Sequence, residues 1–173
     1  MNILKGVNRD VWCVEKMFKG ENEIERRITA PVTGKAVSMQ DVADPTFSQE
    51  ILGKGTAVVP SEGRVVAPCD GQVTMVFDTK HAVSLQTEYG AELIIHIGLD
   101  TVQLKGQYFK AHVSAGHKVK QGDLLVEFDI DKIKEAGYDV TTPVIVCNTP
   151  EFPKLESICG MDVKAGETAI IKL

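Results

Sequence analysis

Two histidines occupy matching settings. His81 lies in "TKHAVSLQT" and His96 in "ELIIHIGLD", each within an apolar alternation, and the residues "TEYG" (87–90) stand between the two runs. A lone histidine on an apolar strand is most often a core residue with a satisfied ring nitrogen. A pair in contact is different. Two neutral imidazoles can divide labour, one attacking with its lone pair while the other donates a proton to an incoming oxyanion; charging both together costs free energy. This suits phosphoryl transfer, where catalysis is mostly positioning and electrostatic stabilisation. It also suits zinc binding by two imidazoles. The residues alone leave both open.

Whether the rings meet depends on the turn. An even loop centred on Glu88 and Tyr89 sets His81 directly opposite His96, with Cβ atoms roughly 4.5–5.5 Å apart on one face. A three-residue loop with Gly90 left-handed would shift the register by one and send the histidines to opposite faces. We expect the even loop. Period-two alternation then puts Ile94, His96, Gly98 and Asp100 on one face. The missing side chain at Gly98 is expected to open room beside the imidazole for a phosphate or a partner's side chain. Thr79 shares a face with His81, so its hydroxyl is placed to bond one ring nitrogen and fix the tautomer.

The elements that must hold these side chains read as β. From Ile28 onward, short Val/Ile/Leu runs are broken every several residues by Gly, Pro, Asp or Asn, the pattern of a sandwich or barrel. Helical pattern is scarce, and "DIDKIKEAG" is the one plausible turn or two. Two echoes add topology. "APVTGKAV" (30–37) returns as "APCDGQVT" (67–74), and "GHKVKQGDLLVEF" (116–128) returns as "GMDVKAGETAIIKL" (160–173). The order is A, A, B, B with no constant period, so two copies of one β unit interleave in a duplicated small sandwich rather than a solenoid. Residues 1–27 stand apart. "VWCVEKMF" has Val11, Val14 and Phe18 near helical spacing, and the charged "KGENEIERR" follows; this head is expected to be a tail, or a short amphipathic segment and linker, before a domain at 28–173.

Composition narrows the class. At 173 residues, 43% hydrophobic and 25% charged, the chain suits one domain with a sizeable core. A net charge of −5 with no basic stripe argues against nucleic acid as a partner. No run has the length of a membrane span and the N-terminus lacks a signal peptide's apolar core. Cys13, Cys69, Cys147 and Cys159 are far apart with no CxxC pair, which reads as thiols in a reducing cytoplasm rather than a disulfide frame or zinc knuckle.

The segments "TAPVTGKAVSMQDVADPTFSQEILGKGTAVVP", "VAPCDGQVTMVFDTKHAVSLQT" and "LIIHIGLDTVQLKGQYF" resemble the glucose-type enzyme IIA (EIIA) family of the bacterial phosphoenolpyruvate:sugar phosphotransferase system. The resemblance runs from about Ile28 to Leu173. It implies an all-β fold with very little helix, the duplicated hybrid motif, an antiparallel β-sandwich or barrel. It implies that His96 takes a phosphoryl group from phospho-HPr and passes it to the cysteine of an EIIB domain of a sugar permease, coupling uptake to sugar phosphorylation. His81 matches the second active-site histidine, and Thr79 the hydroxyl that bonds its ring. Asp44 and Asp100 resemble the acidic pair flanking the site. Phe47, Ile51, Leu52, Phe77 and Val102 resemble an apolar docking ring, slimmed where Val83 replaces the Phe of several relatives. A carboxylate repels phosphate, so Asp100 is expected to favour departure or to meet a partner's arginine. The family requires no metal, nucleotide or other cofactor. Regulatory partners, and zinc shared with a partner through His81 and His96, are possibilities the family carries. It further implies a cytoplasmic protein that meets the membrane through the permease or a weak N-terminal segment.

Competing patterns are poorer. "HIGLD" fits the His-x-x-x-Asp spacing of lysostaphin-type zinc peptidases, yet the later His-x-His is replaced by "HVSAGH", with His112 and His117. "VKQGDLL" and "GMDVKAG" resemble biotinyl or lipoyl carrier hairpins only loosely, and Lys164 reads as a solvated turn lysine. "GKGTAV" (53–58) is a turn before a strand rather than a P-loop, since Ser48 replaces the first glycine and Gly55 the Ser/Thr. The sugar is not written in this chain, because in the resembling family specificity belongs to the membrane partner. Met1 and the unmatched head favour a free-standing chain over a permease domain.

Overall fold

Turn residues recur so closely that no strand among the described residues exceeds seven residues. The computed structural model describes residues 25–173, so the expected tail at 1–27 falls almost wholly outside the described residues. The strands are β1 (Arg27–Thr29), β2 (Gly34–Ser38), β3 (Lys54–Pro60), β4 (Arg64–Val66), β5 (Gly71–Val76), β6 (Ala82–Thr87) and β7 (Glu92–His96). They continue as β8 (Phe109–Ala111), β9 (Lys118–Val119), β10 (Leu124–Phe128), β11 (Thr142–Val146), β12 (Glu156–Ser157), β13 (Asp162–Val163) and β14 (Ala169–Lys172). Among the described residues two short α-helices accompany them, α1 (Pro45–Ser48) and α2 (Ile130–Glu135).

One eight-stranded sheet has the order β13-β2-β3-β11-β7-β6-β5-β9, and two three-stranded sheets, β1-β14-β12 and β4-β10-β8, complete the fold. Every paired strand is antiparallel to its neighbour. The large sheet is symmetric about the β11–β7 seam, and the sequence echoes explain why. In each copy an A segment pairs with a B segment: β2 takes β13 and β5 takes β9, while β1 takes β14 and β4 takes β10. Equivalent backbone bonds recur, with Gly166 N–H on the Ala30 carbonyl in one copy and Gly122 N–H on the Ala67 carbonyl in the other. The first A segment pairs with the second B segment, so one copy encloses the other in sequence. The duplicated sandwich is the fold observed.

The main core draws on all three sheets, including Ile28, Val58, Val65, Leu85, Ile95, Leu125 and Ile171. A second, smaller cluster lies on the opposite face of the large sheet: Met39, Val42, Phe47, Ala57, Leu99 and Ile145. Helix α1 belongs to this second cluster. Asp44 accepts at its N-terminus from Thr46 N–H (2.9 Å) and Pro45 takes a first-turn position, a start signal in "DP" that the sequence reading passed over. The expected helical stretch forms α2, capped by Asp129.

Candidate functional site

The β6–β7 hairpin closes on three residues, and the expected even loop is overturned. Thr87 N–H donates to the Ala91 carbonyl (2.9 Å), and Gly90, at φ +89°, donates to the Thr87 carbonyl (3.1 Å). Gly90 takes a left-handed conformation that a β-carbon would penalise. The extra loop residue shifts the register by one: Ala82 stands opposite His96, and Ile97 N–H donates to the His81 carbonyl (2.6 Å).

The imidazoles nevertheless meet, with ring centroids 4.8 Å apart and planes at 80°. His81 escapes the strand rule because it is a turn residue. Phe77 N–H donates to the Ala82 carbonyl (3.1 Å) and Lys80 N–H to the Phe77 carbonyl (2.7 Å), so residues 78–81 form a four-residue turn with Lys80 at φ +58°. Alternation governs side chains within the ladder, not at the end of a turn. Ala82, the residue truly opposite His96, carries only a methyl, so no bulky side chain fills the cross-strand position.

Each ring is anchored at Nδ1. Thr79 Oγ1 lies 2.5 Å from His81 Nδ1, as expected of a neighbouring hydroxyl. His96 Nδ1 lies 2.7 Å from the Gly98 carbonyl oxygen. A carbonyl only accepts, so His96 Nδ1 carries the proton and its Nε2 keeps a lone pair. Burial holds both rings neutral. His81, 4% exposed, is pushed down to about 4 by burial first and then by His96. His96 is lowered by burial, opposed by the Gly98 carbonyl and by the charges of Asp44 and Asp100.

A depressed histidine binds protons more readily unfolded than folded, so its contribution to stability is complete above pH 6.5 and is lost as pH falls toward 4. Taking His81 alone, the loss by pH 4.5 is roughly 2–3 kcal/mol. Urea denaturation at pH 7.5 and 4.5 should show the His81→Gln protein losing that much less stability than wild type. Parallel losses would contradict a depressed His81.

The expectation that Gly98 opens space beside the imidazole is overturned. A β-carbon there would sit 2.5 Å from Thr101 Cγ2 and 2.8 Å from the Asp139 carbonyl oxygen, and Gly98 has φ +79°. The glycine admits a close-packed turn rather than a ligand. Gly98→Ala therefore combines a left-handed alanine with overpacking, and its expected cost is about 3 kcal/mol in chemical denaturation. The shared face predicted for Ile94, His96, Gly98 and Asp100 also ends at His96, since Asp100 has φ +58°.

Around the pair stand aromatic walls. The Phe47 ring lies 5.0 Å from that of His96, and the Phe77 ring 5.4 Å from that of His81. Phe47 is only 4% exposed, so it is a wall of the site before it is a docking surface. Ile51, Leu52 and Val102 are exposed at 67%, 40% and 44%. Asp44 and Asp100 line one shallow cleft with Tyr138 and Asp139. Asp44 caps α1, whereas Asp100 makes no capping bond and keeps its carboxylate for the cleft. Val83 is fully buried in the main core, opposite Ile95, so it slims no docking ring. Two further apolar residues stand on this face. Ile94 lies two residues before His96, where the alternation placed it without giving it a role. Met75, 51% exposed, pairs with Ser84 in the row of Ile94 because a bulge between Val73 and Met75 shifts β5, which alternation could not disclose.

The other motifs resolve into ordinary structure. His112 pairs with Glu127 at 2.7 Å and His117 bonds Ser114, neither near a third ligand. Lys164 pairs with Glu167. Among the described residues no group of three or more His, Cys, Asp or Glu could hold a metal. Cys69 is buried, its thiol pushed up to about 12 mainly by burial; Cys147 is half-buried, Cys159 exposed, and Cys13 lies outside the described residues. No helix among the described residues is long and apolar enough to cross a membrane.

With this geometry in place, comparison with known proteins is informative. Residues 26–152 match the family model described as phosphoenolpyruvate-dependent sugar phosphotransferase system, EIIA 1. A glucose-specific EIIA component of Halalkalibacterium halodurans is 46% identical over 159 residues, covering 90% of this chain and 92% of that protein. A β-glucoside-specific EIIBCA component of Bacillus subtilis is 51% identical over 136 residues, covering 79% of this chain but 22% of that longer protein. Among solved structures, glucose permease IIA from Mycoplasma capricolum superimposes with a TM-score of 0.78 at 34% identity, over 85% of this chain and 95% of that one.

Proposed function

The chain belongs to the EIIA 1 family of the phosphoenolpyruvate-dependent sugar phosphotransferase system, and from that premise we propose that His96 Nε2 is the atom that carries the phosphoryl group. The chain is a phosphoryl carrier of that system and a component of its phosphotransferase chemistry. The observation that supports His96 is its Nδ1–H bond to the Gly98 carbonyl, which leaves the Nε2 lone pair as nucleophile in a ring that burial keeps neutral.

In the reading proposed, that lone pair attacks phosphorus as the bond to the donor breaks, and the new N–P bond breaks in turn when the acceptor attacks. His81, bonded at Nδ1 by the Thr79 hydroxyl, offers Nε2–H to the phosphoryl oxygens when Thr79 is the donor. A phosphoryl group passing between protein side chains needs no nucleotide or metal at this site.

Relatives that join this domain to EIIB and EIIC in one chain support an EIIB domain as the partner that receives the phosphoryl group. Its acceptor cysteine, phospho-HPr as the donor and the cytoplasm as the compartment belong to the proposal. Both partners would use one patch: Ile51, Leu52 and Val102 at its rim, Phe77 and Ile94 nearer the histidines, and Asp44 and Asp100 for a cationic side chain. A modest apolar patch with two flanking carboxylates suits a complex that forms and separates repeatedly. Labelling with phosphoenolpyruvate, enzyme I and HPr, followed by mass analysis of the modified residue, tests the whole scheme; phosphate elsewhere than His96 would refute it.

A further inference from the structure

Position at His96 depends on a carbonyl that lies outside any strand. The chain leaves β7 at His96 and passes through Gly98 at φ +79° and Asp100 at φ +58°. Glycine takes such a φ freely, but at Asp100 it is costly and persists only where the surroundings over-determine it. The groups that hold the two residues are specific. Thr101, fully buried, donates its hydroxyl to the Ile97 carbonyl at 2.5 Å, while its methyl fills the space against Gly98. From a separate part of the chain, the Asp139 carbonyl accepts from Leu99 N–H at 2.9 Å and also closes on Gly98. Asp139 is itself held, because its carboxylate accepts from Thr141 N–H (2.8 Å) and from Thr141 Oγ1–H (2.7 Å).

Bonds to Ile97 and Leu99 thus bracket Gly98 and leave its own carbonyl free for His96. We propose that Thr101 and Asp139 are positioning residues that hold the 97–100 turn so that the Gly98 carbonyl keeps His96 in its Nδ1–H tautomer, with Nε2 as the nucleophile. Neither residue touches the imidazole. Both act through the backbone: if the turn relaxes, the Gly98 oxygen leaves Nδ1, the ring exchanges between tautomers, and the Nε2–H form has no lone pair at Nε2 with which to attack. The consequence for rate rests on His96 being the phosphoryl acceptor, but the tautomer can be read with no donor present.

The test is two-bond 1H–15N correlation NMR on protein labelled with 15N-histidine, together with the rate of labelling from phospho-HPr. Wild type should show a single His96 tautomer with Nε2 unprotonated. Thr101→Val, which keeps the shape and removes the hydroxyl, should show a mixture and accept phosphate about 10- to 100-fold more slowly. Thr101→Ser should restore both. Asp139→Ala, an exposed change, carries the same expectation should Thr101→Val fail to fold. An unmixed Nδ1–H tautomer with unchanged labelling in Asp139→Ala and in a folded Thr101→Val protein would overturn the proposal. Labelling that survives His96→Gln would instead refute the functional reading and leave the tautomer result standing.

Discussion

The His96→Gln protein should take up no phosphate from phosphoenolpyruvate, enzyme I and HPr under conditions that label the wild type. Glutamine preserves polarity and approximate length but has no nitrogen lone pair, since its amide nitrogen is conjugated with the carbonyl. The remaining imidazole cannot substitute. His81 is 4% exposed and its Nδ1 is engaged by Thr79, so a docked donor finds His96 and not His81. Loss of the nucleophile removes the covalent path itself, and labelling should fall below detection. Folding should be retained, because His96 is only partly buried and lies outside the main core; an unfolding free energy within about 1 kcal/mol of wild type would show this. Full labelling of the variant would end the assignment.

Replacing His81 separates the two directions. His81→Gln should accept phosphate at a rate near wild type yet deliver it to an EIIB domain about 10²-fold more slowly, equivalent to about 2.7 kcal/mol of lost transition-state stabilisation. The asymmetry follows from charge. In the scheme proposed, the attacking group on acceptance is the neutral imidazole of His96. On delivery to a cysteine the attacker is a thiolate, because the thiol is not the nucleophile, and an anion must approach a phosphoryl group that already bears negative charge. A hydrogen-bond donor beside those oxygens matters most in that step. His81 is placed for it, 4.8 Å from His96 ring to ring, with Phe77 against its edge at 5.4 Å. Single-turnover transfer from pre-labelled protein to EIIB measures the effect. Equal slowing in both directions would assign His81 a general structural role.

The chemical pair was legible before any fold was known. His81 and His96 stand in β-patterned runs, Thr79 is two residues from one of them, and Asp100 four from the other. The duplication was legible too, because each echo repeats its turn residues and apolar spacing, and the sheets pair an A segment with a B segment as that repetition requires. Less could be read of the walls. Phe47 resembled a docking residue, but packing beneath α1 buries it against His96. Asp139 bore no mark at all, since nothing local connects it with Leu99, forty residues earlier in the chain.

What the sequence by itself determined is therefore the class of fold, its duplication and the two candidate reacting groups, because these follow from side-chain chemistry and from short apolar runs cut by turn residues. Tertiary structure alone decided how the groups meet. Alternation predicts faces only inside a hydrogen-bonded ladder, and His81 and Gly98 lie just beyond the ends of β6 and β7. There the outcome turns on the sign of φ at Lys80, Gly90, Gly98 and Asp100, which is positive at all four. Glycine permits both signs and the lysine and aspartate tolerate the rarer one, so the choice falls to the contacts that hold each turn. Correct contact between the imidazoles was thus reached from an incorrect register, because the turn at 78–81 returns to His96 the ring that the loop at Gly90 had displaced.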